Sequence, residues 1–391
     1  MTPADAARAP RVAVAGLSAR LVAQSAARAG LNVVALDIFG DRDTREHAGM
    51  WFDIGGNGLS IDRARLYDAL ERAARLPRML GLIVTSGLES LAGELARAPH
   101  VPRFIGNGAQ AAAVRDPRRF FALLDEAHIA HPEVRYAPPD DRHGWLVKRS
   151  DGCGGTHIEW ADAVERIPAD AYFQRLAQGR SMSALFVAAH REATVIGFAE
   201  QLTVAAGRLP FVHAGSLGPV RLPRQIAARI VEAIDRIVWQ TDLTGLNSID
   251  FLLDGDTFSV LEINTRPSST MALYEAAWPD AWPRGLIGAH LNACLHGELP
   301  HAPDTAAHTP PLHAGQRVVF AHEGFTASRA FSDACFDDPS CHDVPLVGAR
   351  IEAGQPVCTM TVSAPAFSDL RDALDREHAR LLQRIDTLSR P

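Results

Sequence analysis

Short apolar runs alternate with longer amphipathic stretches through the first hundred residues of the chain. Four runs rich in Val, Leu, Ile and Ala have the length of buried strands, and the segments between them have helical periodicity. These runs are Arg11–Gly16, Asn32–Asp37, Leu80–Val84 and Pro102–Gly106. Strands that alternate with helices in this way predict a parallel, doubly wound α/β layer.

The pattern changes to closely spaced strands after a Pro- and Asp-rich link at residues 137–141. Strand-like runs follow in quick succession, at Trp145–Arg149, Tyr172–Leu176, Met182–Ala188 and Thr194–Val204. Runs of this length without intervening helical segments are typical of an antiparallel sheet. We therefore expect a smaller β-rich subdomain in this part of the chain.

A helix and a hairpin come next. The helix that starts at Pro223 has one apolar stripe, formed by Ile226, Ile230, Ile234 and Ile237. The runs Leu246–Leu253 and Thr257–Asn264 are joined through Asp254-Gly255-Asp256, and Asp-Gly between two strands is a strong hairpin signal. Beyond a Pro- and His-rich stretch at 300–311, we expect a terminal unit of strands and one helix.

Composition and charge narrow the class of protein. Of 391 residues, 47% are hydrophobic and 22% charged, which is ordinary for a globular protein, and the net charge of −7 disfavours nucleic acid as a partner. The N-terminus has no signal-peptide pattern, and no apolar run is long enough to span a membrane. Five cysteines without a C-x-x-C pair favour reduced thiols. The expected location is cytoplasmic, with no membrane partner.

The basic residues are arginines with a single exception. Of the 39 Lys and Arg residues, only Lys148 is a lysine. A lysine is a compact cation on a flexible stem, whereas arginine is a wide planar fork. Lys148 lies in a strand and is followed by the glycine-rich segment 150–156, whose backbone N–H groups could approach anionic oxygens. A plain β-turn is the alternative interpretation of this segment.

The hairpin carries the most informative polar residues. Glu262 and Asn264 are two apart on one strand and therefore share a face, and Asp250 joins them if the turn has the right register. Three oxygen donors on one face suit Mg²⁺, although a solvated sheet face is an equal alternative. Arg266 follows two residues later and could hold a phosphoryl group or a carboxylate. Near the N-terminus, Ser18 and Arg20 at a strand-to-helix turn could bind a carboxylate, with a simple structural turn as the alternative.

Taken in order, these segments resemble the ATP-grasp superfamily. The motifs that carry the resemblance are WLVKRSDGCGG, YFQRLAQG and DFLLDGDTFSVLEINTRP, which match the family's lysine strand, hinge strand and metal-binding hairpin. The resemblance implies a Rossmann-like N-terminal domain at 1–105 and a two-part ATP-grasp domain at 106–305, with a lid subdomain at about 140–190. A small β-rich C-terminal unit of α+β structure would occupy 312–391.

The resemblance also implies roles for particular residues and implies ATP and Mg²⁺, or Mn²⁺ in its place, as cofactors. Arg266 and Lys148 would be catalytic, and the metal ligands would be Asp250, Glu262 and Asn264. The residues implied to bind ATP are Lys148, Gly152, Gly154, Gly155, Gln174, Arg175 and Leu176. The residues implied to contact substrate are Ser18, Arg20 and Glu89. The family commonly has an earlier lysine where this chain has Asp116-Pro117-Arg118, so the resemblance leaves its replacement open.

The implied function is a carboxylate–amine ligase that activates a carboxylate as an acyl phosphate and joins it to an amine. Segments such as GLSARLVAQSAARAGLNVVALDIFGD and TSGLES resemble a subgroup of ligases related to methanofuran-type one-carbon cofactor biosynthesis. That subgroup implies glutamate with a tyramine-like, tyrosine-like or glutamyl acceptor, and the family implies a homodimer. A biotin-type carboxylase and a non-catalytic ATP-binding protein are the two alternatives.

Overall fold

The computed structural model describes residues 9–303 and 310–388. Its first part is a parallel four-stranded sheet, here called the N-terminal sheet, in the order β3-β2-β1-β4. The strands are β1 (Arg11–Ala15), β2 (Asn32–Asp37), β3 (Ala48–Asp53) and β4 (Met79–Val84). The helices around it are α1 (Arg20–Arg28), α2 (Arg42–His47), α3 (Arg63–Ala74), a single 3₁₀ turn (Glu89–Leu91) and α4 (Ala92–Leu95).

The predicted parallel layer is confirmed, but two of its strands differ from the sequence pattern. The edge strand β3 was not predicted, because it is a partly exposed edge in which Met50 is 43% exposed and no buried alternation develops. The predicted strand at 102–106 forms only an isolated bridge between Phe104 and Leu82. Two helices, α5 (Ala111–Arg115) and α6 (Pro117–Glu126), then lead out of this layer, and Asp116 caps α6 by accepting the N–H of Arg118.

The second part is a four-stranded antiparallel sheet, here called the small sheet, in the order β5-β8-β6-β7. Its strands are β5 (Val134–Arg135), β6 (Trp145–Arg149), β7 (Ile158–Trp160) and β8 (Ala171–Arg175). One face buries an apolar cluster around Trp145, Val147 and Phe173. The other face therefore carries the side chains of the alternate positions, including Lys148 and Gln174.

The third part is an eight-stranded sheet, the large sheet, whose paired neighbours all run antiparallel in the order β13-β12-β9-β10-β11-β14-β18-β16. Its strands are β9 (Arg180–Ala189), β10 (Glu192–Ala206), β11 (Leu209–Val220), β12 (Gly245–Asp254), β13 (Thr257–Asn264), β14 (His313–Phe320), β16 (Cys341–His342) and β18 (Pro356–Ala364). A separate two-stranded ribbon pairs β15 (Phe325–Thr326) with β17 (Arg350–Ile351).

Five helices pack on the large sheet and around it. They are α7 (Arg224–Thr241), α8 (Met271–Ala277), α9 (Gly285–His296), α10 (Arg329–Phe336) and α11 (Asp369–Leu388). The predicted isoleucine stripe of α7 is buried in one cluster with side chains of β12 and β13 such as Phe251 and Val260. No helix in the described part of the chain is long and apolar enough to cross a membrane.

The C-terminal strands continue the large sheet instead of forming a sheet of their own. Strand β14 pairs with β11 from Gly215 to Gly218, so residues after 312 extend the sheet that the hairpin begins. Part of the predicted Pro- and His-rich stretch and the predicted boundary at 305 fall at 304–309, outside the described residues. The domain limits stay predictions, but the shared sheet makes the C-terminal strands one body with the middle of the chain.

The glycine-rich loop between β6 and β7 touches strand β11. Gly154 and Gly155 both have positive φ, at +61° and +74°, a backbone region that favours glycine. A Cβ at Gly155 would lie 1.8 Å from the carbonyl oxygen of Phe211, whereas one at Gly154 would have no neighbour within 4 Å. The loop is therefore seated on β11 at Gly155 by a contact that leaves no room for a side chain.

We predict that Gly155→Ala unseats this loop and Gly154→Ala does not. Both substitutions carry the same backbone cost at positive φ, but only the first adds a clash with Phe211. Hydrogen exchange followed by mass spectrometry should show faster exchange over residues 149–160 in Gly155→Ala than in the matched variant. Equal exchange in the two variants would contradict the close seating.

Candidate active site

One cleft of about 750 Å³ lies between the N-terminal sheet, the small sheet and the large sheet. It brings together nearly all of the residues that the sequence predicts to form the site. Those that line it are Ser18, Arg20, Lys148, Gly154, Gly155, Gln174, Arg175, Leu176, Asp250, Glu262, Asn264 and Arg266. Gly152 and Glu89 are not in its wall, and Glu89 contacts Arg266 instead.

The hairpin of β12 and β13 sets the acidic end of the cleft. Asp250 lies directly opposite Glu262 and Ser248 directly opposite Asn264, so the three predicted donors share one face. The register shifts after Asp250, because Phe251 is opposite Val260, and Leu261 is the extra residue of a bulge. The hairpin and the side-by-side placement of its two acids therefore agree with the sequence pattern.

These two carboxyl groups are close enough to perturb each other. Burial, with repulsion from Glu262 as the next cause, raises the pKa of Asp250 to about 7. Burial would also raise the pKa of Glu262, but the charges of Lys148 and neighbouring cations bring it below its usual value. Asp250 Oδ1 is buried and has no hydrogen-bond partner, while Asp250 Oδ2 accepts a 3.0 Å bond from Asn264 Nδ2.

This donor set fits a divalent cation that prefers oxygen. Asp250 Oδ1 has no partner and lies near the like charge of Glu262, so a cation would stabilise it. Mg²⁺ commonly binds through one or two carboxylates, with water and phosphate oxygens completing its shell. Among residues 9–303 and 310–388, no group of three or more His, Cys, Asp or Glu side chains has metal-binding geometry. The cleft therefore suits a cation shared with a ligand and offers no all-protein cage.

Lys148 lies on the inner face of the small sheet. Its strand neighbours across β8 and β7 are Tyr172 and Ile158, and the residue is only 3% exposed. Burial lowers the pKa of Lys148, and the nearby charges of Glu262 and Asp250 oppose that effect. The lysine thus supplies a desolvated positive charge facing the two acids of the hairpin.

Gln174 lies on the same face as Lys148, diagonally across the β6–β8 pair. It is opposite Leu146, is 2% exposed, and its Nε2 has no hydrogen-bond partner. The main-chain N–H groups of the next two residues, Arg175 and Leu176, donate to Glu133 O at 2.8 Å and Gly144 O at 2.9 Å. Among the described side chains at this end of the cleft, the Gln174 amide is therefore a buried donor without a partner.

Arg266 and Glu89 form a buried ion pair that links two parts of the fold. Arg266 Nε donates to Glu89 Oε1 at 2.6 Å, and the two side chains are 10% and 3% exposed. Glu89 Oε2 accepts the N–H of Gly87 at 2.7 Å, and Arg266 Nη2 donates to Asn264 Oδ1 at 3.2 Å. Glu89, predicted to contact substrate, therefore holds the arginine that lies beside the hairpin.

Ser18 and Arg20 also line the cleft, but Arg20 already has carboxylate partners within the protein. Its Nε donates to Asp343 Oδ1 at 2.7 Å, and it lies 3.6 Å from an oxygen of Asp43. Ser18 Oγ is 3.4 Å from the same Asp343 oxygen. The predicted carboxylate-binding role of Ser18 and Arg20 stays a prediction, and this pair already joins the N-terminal layer to the C-terminal strands.

Several polar residues of this region were not found by sequence reasoning. His157, His213 and Asp343 line the cleft, and Arg115 donates to Ser150 O at 3.0 Å, at the root of the glycine-rich loop. Burial raises the pKa of Glu262, and the charge of Arg115 helps to lower it, after those of Lys148 and His157. Asp116-Pro117-Arg118 drew attention in the sequence, but nothing in the local pattern separated Arg115 from the other arginines.

Comparison with known proteins agrees with this geometry. Residues 114–270 match a family model described as ATP-grasp domain. An uncharacterized protein of Methanocaldococcus jannaschii is 24% identical over 295 residues, which cover 71% of this chain and 68% of that protein. Because that protein is uncharacterized, the similarity assigns no activity to this chain.

Two solved structures share the fold over nearly the whole chain. An L-amino acid ligase from Bacillus licheniformis has a TM-score of 0.69 at 12% identity, covering 96% of this chain and 97% of that one. The biotin carboxylase domain of 2-oxoglutarate carboxylase from Hydrogenobacter thermophilus, solved with MgADP and bicarbonate, has a TM-score of 0.69 at 14% identity, covering 94% and 88%. The predicted fold class is thereby confirmed.

We predict that Glu89→Ala lowers the stability of the protein strongly. It would leave the Arg266 guanidinium buried without its carboxylate, and removing one partner of a buried pair costs about 3–5 kcal/mol. Denaturant titration measures the change, with Glu71→Ala as the matched control. The pair of Glu71 with Arg75 is exposed, at 49% and 78%, and such pairs contribute about 1 kcal/mol or less. Equal losses of stability in Glu89→Ala and Glu71→Ala would contradict the larger contribution of the buried pair.

Proposed function

We propose that the chain is an ATP-dependent ligase that joins a carboxylate to an amine, a proposal that the match of residues 114–270 to a family model described as ATP-grasp domain supports. The observation that carries this proposal is the set of Lys148, Asp250, Glu262, Asn264 and Arg266 around one cleft. Together they provide two buried cations beside an oxygen-donor set that itself needs a cation. That arrangement suits the transfer of a phosphoryl group, where charge neutralisation and positioning do most of the work.

ATP is the proposed nucleotide and Mg²⁺, or Mn²⁺ in its place, the proposed metal. Asp250, Glu262 and Asn264 would hold the metal, which when bound would neutralise negative charge on the phosphate oxygens. The neighbour from H. thermophilus was solved with MgADP, which supports this choice. The orphaned oxygen of Asp250 gives the same support from this chain's own residues.

The remaining cleft residues divide between the two ends of the nucleotide. Lys148 and the loop of Gly152, Gly154 and Gly155 would hold phosphates, because a buried ammonium and close backbone N–H groups both favour anionic oxygens. The segment Gln174–Leu176 would face the base. The N–H groups of Arg175 and Leu176 are already engaged, whereas the Gln174 amide has no partner and could meet a base edge.

The proposed reaction has two steps. In the first, a carboxylate oxygen attacks the γ-phosphorus, the bond to ADP breaks, and an acyl phosphate forms. In the second, an amine attacks the acyl carbon, the C–N bond forms, and the C–O bond to phosphate breaks. Lys148 and Arg266 would stabilise the negative charge that develops on oxygen in both steps, and Glu89 would keep the Arg266 fork in place.

The substrates are proposed more narrowly on the resemblance to one-carbon cofactor ligases. Glutamate would be the acid, and a tyramine-like, tyrosine-like or glutamyl compound the acceptor. Phe39, Phe211 and Phe320 line the cleft and would suit an aromatic body. The homodimer stays a prediction that follows from the resemblance alone.

We predict that Lys148→Met abolishes ligation while the fold persists. The purified protein with Mg-ATP is offered amino acids singly and in acid-plus-amine pairs, and ADP and product mass are measured. The wild type should release ADP with a pair and give a product one amide condensation heavier. Loss of a buried transition-state cation should slow release by about 10²-fold or more.

The same assay separates the alternatives. Unchanged turnover in Lys148→Met would contradict the assignment. ADP release that requires bicarbonate would indicate a biotin-type carboxylase. Biotin is carried on a lysine, and this chain's one lysine, Lys148, is buried in the cleft. ATP binding without ADP release on any substrate would indicate a non-catalytic ATP-binding protein.

A second prediction concerns the metal. Asp250→Asn removes the charge of a proposed ligand, so the Mg²⁺ concentration for half-maximal ADP release should rise by at least about tenfold. Asp254→Asn is the matched control, because Asp254 lies on the same strand but is exposed at the hairpin end. Binding of Mn²⁺, followed by electron paramagnetic resonance, should weaken in Asp250→Asn alone. A metal requirement that is the same in both variants would contradict the proposed ligand set.

A further inference from the structure

Strand β11 places a histidine ring in the cleft that the reaction so far leaves unused. His213 lies opposite Thr203 of β10, is partly buried, and lines the cleft that Arg266 also lines. Its main-chain N–H donates to Gly154 O at 3.0 Å. The strand is thus fastened to the glycine-rich loop at the residue whose side chain faces the cleft.

The His213 imidazole is only partly buried and makes no hydrogen bond to another described residue, so it is open to a ligand in the cleft. Burial, and after it the positive charge of Arg266, lowers the pKa of His213 to about 4. The ring is therefore neutral at physiological pH and offers one N–H donor and one bare nitrogen to whatever occupies the cleft.

The other titratable groups of the cleft wall have roles or partners that exclude them as proton acceptors. Asp250 and Glu262 are the proposed metal ligands, Asp343 is paired with Arg20, and burial raises the pKa of the Cys153 thiol, which keeps it protonated. Burial also lowers the pKa of His157, but its charged neighbours are Glu262 and Lys148, which are assigned to the metal and the phosphates. His213 is the neutral base whose charged neighbour is Arg266, the residue assigned to the acyl group.

We propose that His213 is the general base that accepts the proton of the attacking amine. This assignment rests on the proposed ligase function and adds a residue to its second step. As the amine nitrogen bonds to the acyl carbon, it acquires positive charge and its proton passes to the bare ring nitrogen of His213. The C–O bond to phosphate then breaks, inorganic phosphate leaves with its electron pair, and the proton is later released to water.

The assignment predicts different effects on two nucleophiles. Hydroxylamine is unprotonated at neutral pH and traps an acyl phosphate as a hydroxamate with little need for a base, whereas an amino group does need one. In His213→Gln, amide formation from the acid-plus-amine pair that supports ADP release should fall by about 10²-fold or more. Hydroxamate formation from the same acid with hydroxylamine should stay near the wild-type rate. His296→Gln, on an exposed residue at the end of α9, is the matched control and should change neither reaction.

Three outcomes would overturn the assignment. Equal losses in amide and hydroxamate formation would place His213 in nucleotide or acid binding, and no loss in either would remove it from the reaction. His213→Ala, tested alongside with a thermal unfolding curve for each variant, separates these results from a folding defect. A wild-type protein that forms no hydroxamate from any acid of the panel would contradict the proposed ligase function itself, and with it the second step that His213 serves.

Discussion

The register of the β12–β13 hairpin places two partly buried carboxyl groups opposite each other, and the surrounding cleft is arranged around that pair. Asp250 and Glu262 cannot both ionise there without nearby positive charge. The chain supplies Lys148 from the small sheet and Arg266 from the end of the hairpin, and Asp250 Oδ1 still has no partner. The unpartnered oxygen of Asp250 beside Glu262 and Asn264 suits a divalent cation and, through it, a ligand rich in phosphate.

The rest of the fold holds this arrangement in place from three directions. Glu89, on the turn after β4, fixes Arg266 through a buried ion pair and so joins the N-terminal layer to the hairpin. The loop after Lys148 is seated on β11 at Gly155, which brings the small sheet over the large one. Asp343, just after β16, closes the far wall by pairing with Arg20. Each contact links segments distant in sequence, so the cleft depends on the whole body.

Features that depend on residues close together in the sequence could be predicted, whereas features that depend on residues far apart could not. The hairpin and its acids were predictable, because an Asp-Gly turn and a two-residue alternation are local features. Strand β3 was missed because an exposed edge strand has no buried face to reveal it. The partner of Glu89 lies 177 residues away, and that of Arg20 lies 323 residues away, so neither pair leaves a local pattern. His213 likewise has no sequence signal, since its setting comes from β11 meeting the glycine-rich loop.

The central claim is that the cleft activates a carboxylate by transferring a phosphoryl group to it. The most direct test is to supply glutamate labelled with ¹⁸O in its carboxylates, together with Mg-ATP and the amine, and to measure the mass of the phosphate released. Attack of the carboxylate on the γ-phosphorus predicts that one ¹⁸O atom is carried into each phosphate formed during ligation. Amide formation with unlabelled phosphate would contradict the account, because the oxygen would then have come from water and no acyl phosphate would have formed.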